Sequence, residues 1–298
     1  MENNSADYYS KEGLRTLQLI ELRILREFDE VCRANGLEYA LVGGCMIGQA
    51  RNGGFVPWDD DVDVAMPRAD YEKFIRIADE QYSDRYYINN NDHNNNYPFL
   101  NTQWGLKGTT YRTADMADFS GTFGIFLDIF PYDNVADDDR AMRRQITKAW
   151  FWGKMLVLSG VRHPHIYLEG WKAKVLRAAL VVTRACMKTF GVSTRRLYLK
   201  SYKYATMYRD TDTRRMNVMM DSKRYATLVD KDVYFPSVRG RFENIEVNLA
   251  RQQHVFLTQY YGDYMQLPPV EKRKTHPPLE LDFGPYAELV ADEVRRSI

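Results

Sequence analysis

Residues 55–64 read Phe55-Val56-Pro57-Trp58-Asp59-Asp60-Asp61-Val62-Asp63-Val64. From Asp61 to Met66 carboxylate gives way to apolar residues in alternation, the two-residue period of a strand. On such a strand Asp61 and Asp63 point to the same face. Four carboxylates within five residues repel one another unless cations neutralise them. Oxygen-only ligands select hard ions, Mg²⁺ or Mn²⁺. An acidic surface turn has the same composition, so the flanking sequence has to decide between the two.

Upstream, Glu38 to Val42 reads as a short strand that runs into Gly43-Gly44 and a short helix, Cys45 to Arg51. Glycines at a strand-to-helix turn let backbone N–H groups approach a phosphate, with the helix N-terminus adding positive potential. Downstream, Phe126-Leu127-Asp128-Ile129-Phe130 sets one acid among large apolar residues on an expected strand, Ile125 to Phe130, closed by Pro131. A carboxylate there is costly unless it is paired or bound to metal.

Around this centre the pattern is mixed. Leu14, Leu17, Ile24, Leu25, Phe28, Val31 and Cys32 mark an amphipathic helix stopped by Gly36, and Tyr71, Phe74, Ile75 and Ala78 mark a second. Asn89 to Asn96 is a polar loop, and Phe99 to Trp104 a strand. From Ala136 to about Met220 the pattern is helical, basic and aromatic, with a break near Arg162 to His165. Strands are expected at Val233–Phe235 and Phe242–Val247, then a helix from Ala250 to Tyr261 and a Pro-rich tail. In that tail Glu271-Lys272-Arg273-Lys274-Thr275-His276 follows Pro268-Pro269, a basic loop suited to closing over a diphosphate. His163 and His165 flank a proline without partners at ligand spacing, and neither a zinc site nor a Ser-His-Asp arrangement is visible.

At 298 residues, 45% hydrophobic and 27% charged, the chain suits one large soluble domain or two modest ones. Residues 1–11 lack a signal-peptide pattern, no run of about 18 apolar residues exists to span a membrane, and the three cysteines are widely spaced. These features favour the cytoplasm. Charge is unevenly spread: between Arg140 and Arg215 there are 18 Lys or Arg against three acids, although the whole chain carries only +1. Trp171, Val175, Leu176, Ala179, Val182 and Cys186 fall on one helical face opposite Lys172, Lys174, Arg177, Arg184 and Lys188. That arrangement suits ordinary packing or a helix lying on the anionic inner leaflet of a membrane. A nucleic-acid binder built on the same helices is a remote alternative, since it gives the carboxylates no task.

The glycine pair, the acidic strand and the lone later Asp resemble the nucleotidyltransferase superfamily. The fuller wording, Gly43-Gly44 leading through Arg51-Asn52-Gly53-Gly54 to Pro57-Trp58-Asp59-Asp60-Asp61-Val62-Asp63, then Leu127-Asp128-Ile129-Phe130-Pro131 and Tyr261-Gly262-Asp263-Tyr264, resembles the LicD family of phosphocholine transferases, to which fukutin-related proteins are kin. Asn52 departs from the His that many members carry, and the helix ending at Tyr261 lacks the usual preceding Pro. The resemblance implies an α/β (α+β) nucleotidyltransferase-like core over residues 1–135, a basic helical insertion over 136–220 and a C-terminal part, 221–298, that completes the core. It further implies that Asp61, Asp63 and Asp128 are catalytic and bind metal, with Asp128 either a second-metal ligand or the acceptor of the attacking hydroxyl's proton. Asp59 and Asp60 would orient those ligands. Gly43, Gly44, Arg51, Trp58, Lys272, Arg273 and His276 would face the donor, Trp58 either stacking on it or walling the loop. The implied reaction moves phosphocholine from CDP-choline, or another CDP-linked alcohol, onto a hydroxyl of a cell-surface glycan (lipopolysaccharide or teichoic acid) or its lipid-linked precursor, releasing CMP. The rival enzyme reading attaches a nucleoside monophosphate to a small molecule.

Overall fold

The computed structural model describes residues 10–117, 119–161, 170–219, 221, 223–270, 273 and 275–297. Helix α1 (Lys11–Ala34) starts where the Ser10 hydroxyl accepts the Gly13 N–H at 2.9 Å, and its buried stripe includes Leu17, Ile20, Ile24, Phe28 and Val31. Gly36, at φ +60°, turns the chain out of it. Strand β1 (Ala40–Leu41), helix α2 (Gly43–Asn52), strand β2 (Asp63–Pro67) and helix α3 (Arg68–Gln81) follow. Next come β3 (Tyr86–Asn89), β4 (Thr102–Leu106), β5 (Thr110–Thr113) and the long β6 (Phe126–Val135).

These strands form a curled mixed sheet in the order β1-β2-β6-β4-β3. The β2–β6 pair is parallel and the others are antiparallel. Strands β7 (Arg215–Asn217) and β8 (Val229–Asp230) continue the sheet from the far end of β6. Helices α1 and α3 cover one face, where Phe28, Phe74 and Trp104 meet with ring centroids 4.7 and 5.4 Å apart in successive pairs. Trp104 also stacks on Tyr86 at 3.8 Å. The fold is of the α+β class, as the family resemblance implies.

Strand β6 does not stop at Pro131. Pairing with β4 ends at Ile129 and pairing with β7 begins at Asp133, so the missing N–H of Pro131 falls in a gap between two partners. The other edge is kept by the Asp128 N–H donating to Val62 O at 2.9 Å and by the register Met66 to Pro131. Val233–Phe235 is not a strand: Lys231–Val233 forms a 3₁₀ turn just before Pro236. The single strand expected at 242–247 is instead a hairpin, β9 (Val238–Phe242) and β10 (Ile245–Leu249), turning at Glu243 with φ +54°. Helix α7 (Gln253–Tyr261) follows it. The Pro-rich tail is ordered as well: β11 (Pro278–Asp282) pairs antiparallel with β5, and helix α8 (Tyr286–Ser297) packs against α1.

The basic middle forms α4 (Asp139–Gly160), α5 (Gly170–Thr189) and α6 (Thr194–Ala205). Helices α4 and α6 pack closely, with Gly153 leaving room for Leu100 and Ser201, whose hydroxyl donates to Ala149 O at 2.8 Å. Helix α5 is different. Its apolar residues Trp171, Val175 and Val182 are 72%, 59% and 61% exposed, so that stripe is not core. His163 and His165 lie outside the described residues. No helix among the described residues is long and apolar enough to cross a membrane.

One buried ion pair ties the start of α3 to β6. The Arg68 guanidinium donates to both oxygens of Asp133 at 2.7 and 2.9 Å, and lies 5.4 Å from the Tyr202 ring of α6. Removing one member leaves the other charge buried and unpaired. Arg68→Met should therefore lower unfolding free energy by about 3–5 kcal/mol in urea denaturation; a loss below about 1 kcal/mol would contradict the pair's burial.

Candidate active site

The site lies at the start of β2, where the chain enters the sheet from the loop after α2. The register Asp63 to Asp128 brings two acids side by side on adjacent parallel strands, about 4.8 Å apart between backbones. Asp61 lies just before the strand, not within it. The chain is nevertheless extended there: burial alternates, with Asp59, Asp61 and Asp63 partly exposed while Asp60, Val62 and Val64 are buried. Asp60 is thus the buried member of the run. Its carboxylate accepts the His276 backbone N–H at 2.7 and 3.0 Å.

The glycine pair has a role that the sequence did not disclose. A Cβ on Gly43, which has φ +58°, would lie 2.7 Å from Asp63 Oδ2, and one on Gly44 would lie 2.1 Å from Asp59 Oδ2. The two carboxylates occupy the space side chains would take at the N-terminus of α2. That terminus has no side-chain cap, so its first-turn N–H groups face the acidic cluster without a capping oxygen.

Burial, then Asp61 and Asp60, pushes the Asp59 carboxyl well above its usual range against the opposing pull of His276 and Arg51; burial, then Asp61 and Asp128, does the same to Asp63. Asp128 is raised to about 7 by burial and by Asp61, although Asn101 donates to its Oδ1 at 2.6 Å. Asp61 is raised by burial and held back by His276, whose Nδ1 lies 3.3 Å from Asp61 Oδ2. Asp59 Oδ2 is buried without a hydrogen-bond partner. Among the described residues no Lys or Arg forms an ion pair with Asp59, Asp63 or Asp128. A hard divalent cation fits such a set: the donors are carboxylate oxygens, one is orphaned, and bulk is excluded from the cradle.

Asp60, Asp61 and His276 present ligand atoms within 4.8 Å of one another. His276 is raised to about 9, chiefly by its bond to Asp60 and also by Asp61. It is thus an imidazolium at neutral pH, bridging the two acids as a cation, and binds metal only after losing that proton.

Glu21 of α1 was not visible from sequence as a site residue. It is 2% exposed, one carboxyl oxygen lacks a partner, and burial followed by Asp61, Asp60, Asp59 and Asp63 raises it well above the usual range. Its only sequence signal is a charge inside the apolar run Leu19-Ile20-Glu21-Leu22.

The residues expected at the donor divide into two groups. The Trp58 ring is flanked by Arg273 at 4.1 Å and Arg51 at 5.7 Å, two cations converging on one indole. Burial and the nearby Arg273 lower the Arg51 pKa, while Asp59 opposes the shift. His276 sits apart from them on the acids, carried there by β11, with Tyr111 of β5 donating to its carbonyl at 2.8 Å. Lys272 lies outside the described residues. A cavity of about 240 Å³ opens beside Gly43 and Asp63, whereas a larger one of about 690 Å³, near Arg15 and Arg241, touches none of the clustered acids.

Residues 36–156 match the LicD/FKTN/FKRP nucleotidyltransferase domain family. The chain carries a LicD-family domain. That places it among transferases. It is also 27% identical over 281 residues, covering 89% of this chain and 96% of the relative, to the lipopolysaccharide cholinephosphotransferase LicD of Haemophilus influenzae. The matched domain contains Gly43, Gly44, the acids of β2 and Asp128; Arg273 and His276 lie beyond it.

The ion pair of His276 is measurable in the metal-free protein. Its ring should titrate near pH 9 by NMR, and Asp60→Asn should bring it toward the ordinary value of about 6.5. Because the folded pKa is raised, its stabilisation is complete below about pH 6.5 and is lost as pH rises through about 9. A wild-type midpoint at or below 6.5 would contradict the bridge.

Proposed function

We propose that this protein transfers phosphocholine from CDP-choline to a hydroxyl of a lipopolysaccharide-type glycan or its lipid-linked precursor, releasing CMP, with Mg²⁺ or Mn²⁺ as cofactor. The observation that carries the reading is the convergence of Asp59, Asp61, Asp63 and Asp128 beside an uncapped helix N-terminus, without a direct ion pair to Lys or Arg among the described residues. The LicD-family domain and the similarity to a cholinephosphotransferase support it.

Asp61 and Asp63 would hold the cation. When bound, it neutralises the clustered acids and the charge on the transferred phosphoryl group. Asp128 either completes that site or takes the proton of the incoming hydroxyl. Arg51 and Arg273, on either side of Trp58, bind the donor's diphosphate and stabilise the departing CMP. The N–H groups of Gly43 and Gly44 face phosphate oxygens. His276, fixed by Asp60, orients Asp61.

Asp61→Asn or Asp63→Asn should lower CMP release at least about a hundredfold, in line with the loss of a principal electrostatic group, while circular dichroism stays unchanged. Near-wild-type turnover at saturating donor and Mg²⁺ would refute the assignment. Nucleoside monophosphate recovered on the acceptor would instead establish nucleotidyl transfer. Asp128→Asn separates its two roles: loss of turnover with Mn²⁺ affinity retained marks the proton acceptor, and loss of both marks the ligand.

The exposed stripe of α5, with Lys174, Arg177 and Lys188 exposed on the same helix, supports a contact with the anionic inner leaflet, where a lipid-linked acceptor would lie. Each basic residue near the surface adds about 1 kcal/mol. Changing these three to Gln should reduce co-sedimentation with anionic vesicles severalfold at low salt and leave turnover of a soluble acceptor intact. Equal sedimentation of wild type with neutral and anionic vesicles would rule the contact out.

A further inference from the structure

Asp128, Phe130 and Tyr132 alternate along β6 onto one face. Successive members are about 6.6 Å apart at the strand rise of about 3.3 Å per residue. The face that presents an acid to Asp63 therefore becomes aromatic within one step. The 240 Å³ cavity lies over this transition: Gly43 and Asp63 line one side, and Phe130, Tyr132, Tyr234, Phe256, Tyr260 and Tyr261 make up half of its lining, with Val218 and Thr227 among the remainder.

The rings form an unbroken series. Tyr132 meets Tyr234 at 4.9 Å, Tyr234 meets Phe256 at 5.1 Å, Phe256 meets Tyr260 at 5.5 Å, and Tyr260 meets Tyr261 at 4.5 Å between centroids. A carboxylate, Asp221, also lines the cavity and accepts the Tyr260 hydroxyl at 3.0 Å. The cation of Lys154 is drawn toward the same acid.

An ordinary apolar pocket needs no acid at either end, and a polar one needs hydrogen-bond donors. Here π faces stand between two carboxylates, Asp63 and Asp221. The preferred guest is a cation that has no N–H to donate and carries an apolar shell. The volume equals roughly eight waters at about 30 Å³ each, room for a trimethylammonium group but not for a nucleotide.

We propose that this cavity is an aromatic cage for a quaternary ammonium group, holding the alcohol end of the donor while its phosphoryl group lies at Asp63. The cage is what selects choline over amino- or polyhydroxy-alcohols. Its part in catalysis rests on the transfer reaction proposed above, but its binding chemistry stands apart from that reaction and is tested separately.

Calorimetry of the whole protein with tetramethylammonium and with neopentyl alcohol, a soluble uncharged analogue of similar shape, reads the cage directly. The cation should bind at least tenfold more tightly. Tyr260→Leu and Tyr261→Leu, which keep apolar volume but remove a π face, should each weaken it by roughly three- to tenfold. Tyr261 is 42% exposed, so its variant folds even if a more buried one does not. In turnover, both variants should lose CDP-choline preference over CDP-ethanolamine by a similar factor. Equal affinity for cation and analogue, or wild-type affinity in both variants, would overturn the cage. Tetramethylammonium binding without CMP release from any CDP-alcohol would sustain the cage and sink the transfer reaction. CMP release with donor preference unchanged in the variants would do the reverse.

Discussion

In the parallel pair of β2 and β6, Asp63 lies opposite Asp128, Val64 opposite Ile129 and Ala65 opposite Phe130. Everything at the site depends on that register. A slip of one residue would turn Asp63 into the layer occupied by Val64 and Ile129, both fully buried, and present Val64 to the acids in its place. The slip is opposed by the apolar layer itself: Val64, Met66, Leu127 and Ile129 are buried beneath α1 and α3 with Phe28, Phe74 and Trp104. The hydrophobic core thus fixes the relative position of two charges that would otherwise move apart.

The acids are assembled against their own electrostatics. Asp59, Asp61, Asp63, Asp128 and Glu21 are all raised by burial, and other acids add to the shift in each of them. Such a cluster lowers the stability of the fold and is kept only because the surrounding packing is rigid. His276 supplies part of the compensation as an imidazolium between Asp60 and Asp61, and the dipole of α2 supplies another part.

What could be read from the sequence was what is local. The acidic run, the glycine pair and Asp128 announce themselves because charge or missing side chains there conflict with neighbouring residues. The two periods, helical at Leu17–Phe28 and alternating at Asp61–Met66, mark individual helices and strands, and the α+β class is what the family resemblance implies. Glu21 stayed hidden because one polar residue on an amphipathic helix is as well explained by the edge of its stripe. The continuation of β6 past Pro131 depends on which neighbour pairs where, and no local signal carries that information. The sequence suggests one strand over Phe242–Val247 rather than the turn of a hairpin, because Glu243 is not a residue that marks a left-handed turn. The aromatic series around Tyr234 draws on β6, the segment before β9, and α7; only the tertiary fold reveals that these tyrosines are neighbours.

The pairing of β5 with β11 has a consequence for how the molecule is made. Residues 110–113 and 278–282 are joined across more than half the chain, and His276 reaches Asp60 only through that union. Contacts of such sequence separation form late, after their loop entropy has been met by other structure. During synthesis from the N-terminus the acidic strand leaves the ribosome long before its imidazolium counterion. For that interval the nascent sheet holds its carboxylates without the counterion, so dissolved cations are the natural substitute while the rest of the chain emerges.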